Sequence, residues 1–301
     1  MILWLLIAIL AYLFFGLASF GDKLVLAGKP KPNSYTFYVG ALGLFVVLLI
    51  PFVSLRLPNQ QELIWVILDA IVHVAGLYTM FVALEKFEVS KVVSTIGATQ
   101  PIFIFIFTCF FWGPQIIPAM DILAFVLLFL GSVVISFEKT PQITISYLKV
   151  TIFSSLMFSL DYIFSKFVFL GQSFLPGVIW IRIFVFLFVL VLLISKKSRQ
   201  DIFCHQLVSD KKTQISFFCA QAFGGIANFL QSLAISLAPI IFLATVNSLR
   251  GIQYVFLFII TLFFSYFFPR VLKEELSKRI IIQKVVSIIL IVAGLAILVA
   301  Y

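Results

Sequence analysis

From Thr245 to Gly294 the chain reads TVNSLRGIQYVFLFIITLFFSYFFPRVLKEELSKRIIIQKVVSIILIVAG. Two apolar runs flank one charged turn, and an arginine sits in the first third of the first run. An apolar run of about 20 residues crosses the hydrocarbon core of a bilayer as a helix. The stretch therefore reads as a membrane hairpin carrying a buried charge. The rest of the chain repeats the pattern. With 63% hydrophobic and 11% charged residues among 301, and a mean hydropathy of +1.20, the chain has far more apolar surface than a soluble core of that length absorbs. The expected class is all-α, a polytopic membrane protein. The opening MILWLLIAILAYLFFGLASFGDK has neither a basic leading segment nor a small-residue cleavage site, so it is read as a retained first helix.

Gly, Pro and charge clusters divide the apolar runs into ten expected spans, near 3–27, 35–55, 62–84, 89–112, 119–138, 145–169, 174–194, 214–237, 240–268 and 280–300. Most connections are short, and the one sizeable loop, Ser195 to Gln214, is charged and expected to be solvated. Cys109, Cys204 and Cys219 are odd in number and far apart, which fits packing cysteines and no disulfide framework. No metal cluster or cofactor is expected.

The halves of the chain resemble each other. A shift of 143 places Leu13 on Leu156, Lys23 on Lys166 and Gly28 on Gly171; a shift of 151 places Ala83 on Ala234 and Phe105 on Phe256; a shift of 163 places Gly131 on Gly294. Five spans per half is an odd number, so two such halves enter the membrane in opposite orientations, as an inverted repeat. The expected units are 1–141 and 142–301. Glu274 or Glu275 followed by Gln283 and Gly294, with Arg182 in the second helix of the second half, resembles the EamA-type ten-helix branch of the drug/metabolite transporter superfamily. The first half departs at GPQIIPAMDILAF, which has no glutamate at that turn, although Gly131 matches.

Seventeen of the 21 Lys and Arg fall in the odd-numbered connections, and of these connections' even-numbered counterparts only one holds a base, Arg56. Cytoplasmic loops carry the excess of Lys and Arg, so the odd connections are expected in the cytoplasm and both termini outside, although several relatives are thought to keep both termini inside. The net charge of +9 is accounted for by these topology signals and by contact with anionic lipid rather than nucleic acid.

Polar groups inside the spans are costly there and mark the candidate site. Asp69 and His73, spaced i, i+4, share a helix face and fit either a proton-exchanging pair or a structural one. Gln221, Asn228 and Gln231 form an amide stripe on span 8, suited to a ligand or to interhelical hydrogen bonds. Asn247, Arg250 and Tyr254 follow on span 9. The Arg250 guanidinium suits a carboxylate or phosphate, or alternatively an ion pair with Asp69 or Asp161. Thr95 and Thr99 on span 4 either line the cavity or bond back to backbone loosened by Pro101. Arg182 lies too deep to reach the headgroups and is paired with Asp161, while Lys23 and Lys166 near helix ends are expected to snorkel. Trp180, near Arg182, and Tyr254, near Arg250, are candidates for stacking on substrate.

These groups, with the resemblance, imply a secondary carrier working by alternating access, proton-coupled through Asp69 and His73. Its expected cargo is a small polar or zwitterionic metabolite, and by resemblance amino acids or related compounds in the export direction. The expected partners are that substrate and the lipid bilayer of the cytoplasmic membrane, with the chain a monomer or homodimer. A passive channel or lipid scramblase shares the composition. An intramembrane enzyme does not fit: neither VILDAIV nor FSLDYIF supplies a GxGD sequence, and the chain has no HExxH, GxSxG or Walker sequence.

Overall fold

The computed structural model describes residues 2–25, 31–87, 89–113, 118–136, 144–203, 211–267 and 278–300. Apolar helices succeed one another at each expected span: α1 Ile2–Val25, α2 Pro32–Leu42, α3 Gln60–Lys86, α4 Val89–Trp112, α5 Ala119–Ser136, α6 Ile145–Gly171 and α7 Phe174–Leu190. After a short helix α8, Lys196–Phe203, come α9 Lys211–Leu237, α10 Leu243–Ser248, α11 Arg250–Phe267 and α12 Lys278–Ala300. Among the described residues nine helical stretches are long and apolar enough to cross a membrane, and Ala119–Ile135 is a shorter apolar tenth. The protein is an all-α polytopic membrane protein.

Three spans differ from unbroken α-helices. Span 2 is α only to Leu42 and continues as a 3₁₀ segment, Gly43–Phe52, that contains Pro51 and has no buried residue. With none of its residues buried, packing does little to select the α form, and Pro51 removes one amide donor. Span 7 likewise ends in 3₁₀ at Val191–Ile194. Span 9 starts as a 3₁₀ turn, Ile240–Phe242, and is interrupted at Leu249 between α10 and α11.

The loop expected to be solvated is partly structured. Within it, α8 is tied to the start of α2: the Asp201 carboxylate accepts from Lys31 Nζ at 3.2 Å and Asn33 Nδ2 at 2.9 Å, and Ser34 Oγ donates to the Asp201 carbonyl at 2.6 Å. An acid within a basic loop thus finds its partners at the end of the neighbouring span. Cys204, His205 and the Glu274–Glu275 turn lie outside the described residues.

The most extensive packing pairs are α1 with α9, α3 with α6, and α5 with α12, followed by α4 with α6 and then equally by α1 with α11 and α3 with α7. Their seams are filled by Trp4, Tyr12, Ile104, Leu128, Ile163 and Leu243, all buried. The turn into α3 is set by a capping box, in which Glu62 N donates to Asn59 Oδ1 at 2.8 Å and Asn59 N donates to Glu62 Oε2 at 2.9 Å. Lys166 does not snorkel. It is buried, and its ammonium donates to the carbonyls of Ile235, Ser236 and Ala238 at 3.0, 2.9 and 2.7 Å. Three donors meet the carbonyls that the end of α9 leaves without amide partners, and the positive charge opposes the negative end of the helix dipole. The Lys23 side chain lies outside the description.

Candidate substrate cavity

A cavity of ≈ 730 Å³ opens among α1, span 2, α3, α4, α6, α7, α9 and α11, within the volume range of small-molecule sites. On α3 it is lined by His73, Leu77 and Met80, on α4 by Val93, Ile96 and Gln100, and on α9 by residues from Phe218 to Gln231. On α3 and α4 these residues lie toward the ends that join an odd-numbered connection, and on α9 they occupy the middle of the helix. At the opposite end of α3 a latch forms. Arg56 donates to Glu62 Oε1, Gln172 Nε2 donates to Glu62 Oε2 at 3.1 Å, and Trp180 Nε1 donates to the Arg56 carbonyl at 2.9 Å. The latch joins the connection before α3 to the turn between α6 and α7.

Two polar poles face the cavity. At the first, the His73 ring stands between Asp161 and Arg182, with Nδ1 at 3.1 Å from Asp161 Oδ1 and Nε2 at 3.3 Å from Arg182 Nη1. A guanidinium only donates, so Nε2 must accept and Nδ1 must carry the ring proton toward the carboxylate. The ring is neutral in this arrangement. A second ring proton on Nε2 would set two donors against each other and break the Arg182 contact. Asp161 and Arg182, expected to pair, are bridged by the imidazole. Asp69 does not meet His73 either: it is fully buried, accepts from Ser165 Oγ at 2.8 Å through Oδ1, and leaves Oδ2 without a partner. Asp69, His73, Asp161 and Arg182 share a side chamber of ≈ 30 Å³ with Asn228, Gln231 and Ser232, room for about one water.

The second pole is Arg250, at the first residue of α11 and in the cavity lining. Among the described residues no carboxylate forms an ion pair with it. Its surroundings are the phenols of Tyr12, Tyr162 and Tyr254. Gly97 makes room for it: a methyl group there would stand 3.3 Å from Arg250 Cδ and 2.8 Å from the Tyr254 hydroxyl.

Of the residues singled out in the sequence, His73, Asp161, Arg182, Gln221, Asn228, Gln231 and Arg250 line the cavity. Others turn away from it. Thr95 bonds the Tyr147 hydroxyl and Thr99 bonds Ser155 Oγ, so both are spent on the α4–α6 seam. Asn247 is fully buried beneath Tyr12, whose hydroxyl donates to its carbonyl at 3.4 Å. Tyr254 donates to the Val93 carbonyl at 3.5 Å, and Trp180 belongs to the latch. Sequence reasoning missed Tyr12 and Tyr162, whose hydroxyls lie 3.3 Å apart and receive Gln231 Nε2 at 3.2 Å through Tyr12. The available signal was a tyrosine inside an apolar run, since a buried phenol needs a partner.

The first half of the chain, residues 2–137, matches the family model described as EamA-like transporter family. That half of the chain is similar to the family. The match falls on the half whose fifth turn lacks a glutamate, so the EamA-like character does not depend on that residue. A solved structure titled "Crystal structure of protein" superposes with a TM-score of 0.68 at 16% identity, covering 97% of this chain and 94% of that one. That likeness shows a shared fold from end to end. Comparison with the curated proteins gives no match.

Proposed function

We propose that the chain is a secondary carrier that exports a small organic metabolite with a carboxylate, amino-acid-like and zwitterionic, across the cytoplasmic membrane by alternating access. The observation that carries this reading is the Arg250 guanidinium, with no carboxylate ion pair among the described residues, in a cavity that also presents Asp161, whose side chain is 19% exposed and uses only Oδ1 for His73. A cation without an acid and an acid with a spare oxygen, both lining one cavity, complement a zwitterion. The family and the helical fold support a membrane transporter, and the polar poles support this class of cargo.

In this reading residues 1–141 and 142–301 are inverted halves. The reciprocal packing of α1 on α9 and α3 on α6 is what such halves produce. The cavity mouth faces the odd connections, which the charge distribution assigns to the cytoplasm, and the Arg56–Glu62–Gln172 latch closes the other side. His73, with Asp161, Asp69 and Arg182 around it, forms the proton-responsive pole.

The test is uptake of carboxylate and matched neutral amide substrates into proteoliposomes. Arg250→Gln is expected to reduce affinity for the carboxylates by tenfold or more, roughly the value of one charge-assisted hydrogen bond, and to spare the amides. Equal loss for both would make the arginine structural.

A further inference from the structure

We infer that the cargo is an amphipathic carboxylate whose apolar body enters sideways from the bilayer, through the gap between the 3₁₀ segment Gly43–Phe52 and α9. The inference rests on the carrier reading above and names the substrate that the same cavity prefers. Four observations converge on it.

The cavity, at ≈ 730 Å³, is far larger than a carboxylate and an ammonium need. Away from the two poles its wall is apolar, with Phe15, Leu42, Val46, Leu77, Met80 and Phe158 among the lining. Three other lining residues also face outward within the candidate membrane spans: Phe45 is 66% exposed, Phe218 60% and Ile226 45%. A side chain that both lines a cavity and faces lipid marks an opening between the two.

The fourth observation concerns span 2, which forms one side of this opening. Its 3₁₀ segment packs on α7 and α2, with no buried residue of its own, and α9 packs chiefly on α1. Span 2 is thus held from behind and free on the side where an acyl or aryl group would slide past Phe45. A ligand lying there puts its carboxylate at Arg250 and its body against Phe158 and Phe229. A purely polar ligand would leave that wall wetted and its apolar area unused.

The test is binding of a straight-chain 2-amino carboxylate series, from alanine to 2-aminododecanoate, to the full-length protein in lipid nanodiscs. Wild type, Arg250→Gln, Phe45→Ala and Phe218→Ala are compared, with empty nanodiscs as the partition control. Both phenylalanines are exposed, so their truncation leaves the fold intact. Each methylene buried is worth roughly a fourfold gain in affinity. The expected result is affinity rising with chain length in wild type, loss at all lengths in Arg250→Gln, and loss confined to the longer members in Phe45→Ala and Phe218→Ala. Affinity that depends on Arg250 but not on chain length overturns the amphipathic cargo and leaves the carrier of a polar carboxylate standing. A chain-length dependence shared by Arg250→Gln and by empty nanodiscs overturns both.

Discussion

Gly131 and Gly294 are packed reciprocally across α5 and α12. A methyl group on Gly131 would stand 2.6 Å from Ile291 Cγ1, and one on Gly294 would stand 2.8 Å from Leu128 Cγ. Each glycine thus receives the residue three positions before the other. Backbone stands behind each side chain, with the Ser287 carbonyl 3.1 Å from a methyl on Gly131 and the Ala124 carbonyl 3.0 Å from one on Gly294. Gly294→Val is expected to force the two helices apart and cost about 1–3 kcal/mol, read as a lower unfolding temperature in detergent. Gly131→Ala meets the Ile291 side chain first and the Ser287 carbonyl at 3.1 Å behind it, so Ile291→Ala in the same molecule should restore only part of its loss.

Lys166 satisfies three carbonyls at the end of α9. Lys166→Met keeps the length of the side chain but leaves those oxygens buried without donors, at about 1–3 kcal/mol for each that finds no water. The variant should unfold at lower temperature than Lys166→Arg, which retains donors and charge. Equal stability of the two would show that water replaces the ammonium.

Gly97 is a site where binding and stability separate. Gly97→Ala pushes against Arg250 Cδ and the Tyr254 hydroxyl, both ends of side chains that can move. Affinity for carboxylates should fall severalfold while the unfolding temperature changes little, as measured by ligand titration and thermal unfolding on the same preparation.

The His73 arrangement has a definite sign with pH. With Nε2 accepting from Arg182, a second ring proton breaks that contact, and Asp161 gains a more strongly charged neighbour. His73→Gln can preserve a donor and an acceptor but cannot take up the proton. Its transport should lose the pH dependence of wild type, and an unchanged pH profile would remove His73 from the coupling.

Orientation is checked at the C-terminus. A tag on Tyr301 should be labelled on intact cells, since seventeen of the 21 basic residues are assigned to cytoplasmic connections on the opposite face. Labelling only after lysis reverses the assignment.

The number and order of the spans were legible because apolar runs of bilayer length admit little besides helix. The amide stripe of α9 was legible for the same geometric reason: residues 221, 228 and 231 fall on one face, and that face lines the cavity. Partners between helices were not. The i, i+4 spacing places Asp69 and His73 on one side of α3, but Ser165 of α6 claims Asp69, while Asp161 and Arg182 from α6 and α7 claim His73. Which of two neighbouring helices a side chain meets is decided by crossing geometry, which spacing along one helix does not encode. Lys166 shows the same limit, since its partner is a helix end about 70 residues away.

The 3₁₀ segment of span 2 has a mechanical consequence. Ten residues rise about 20 Å at 3₁₀ pitch and about 15 Å as α-helix. Rewinding the segment would shorten the span by about 5 Å, a change that the surrounding lipid resists or favours according to its thickness. Span 2 is therefore a spring set against the bilayer, and membranes of different acyl-chain length should hold it at different extensions.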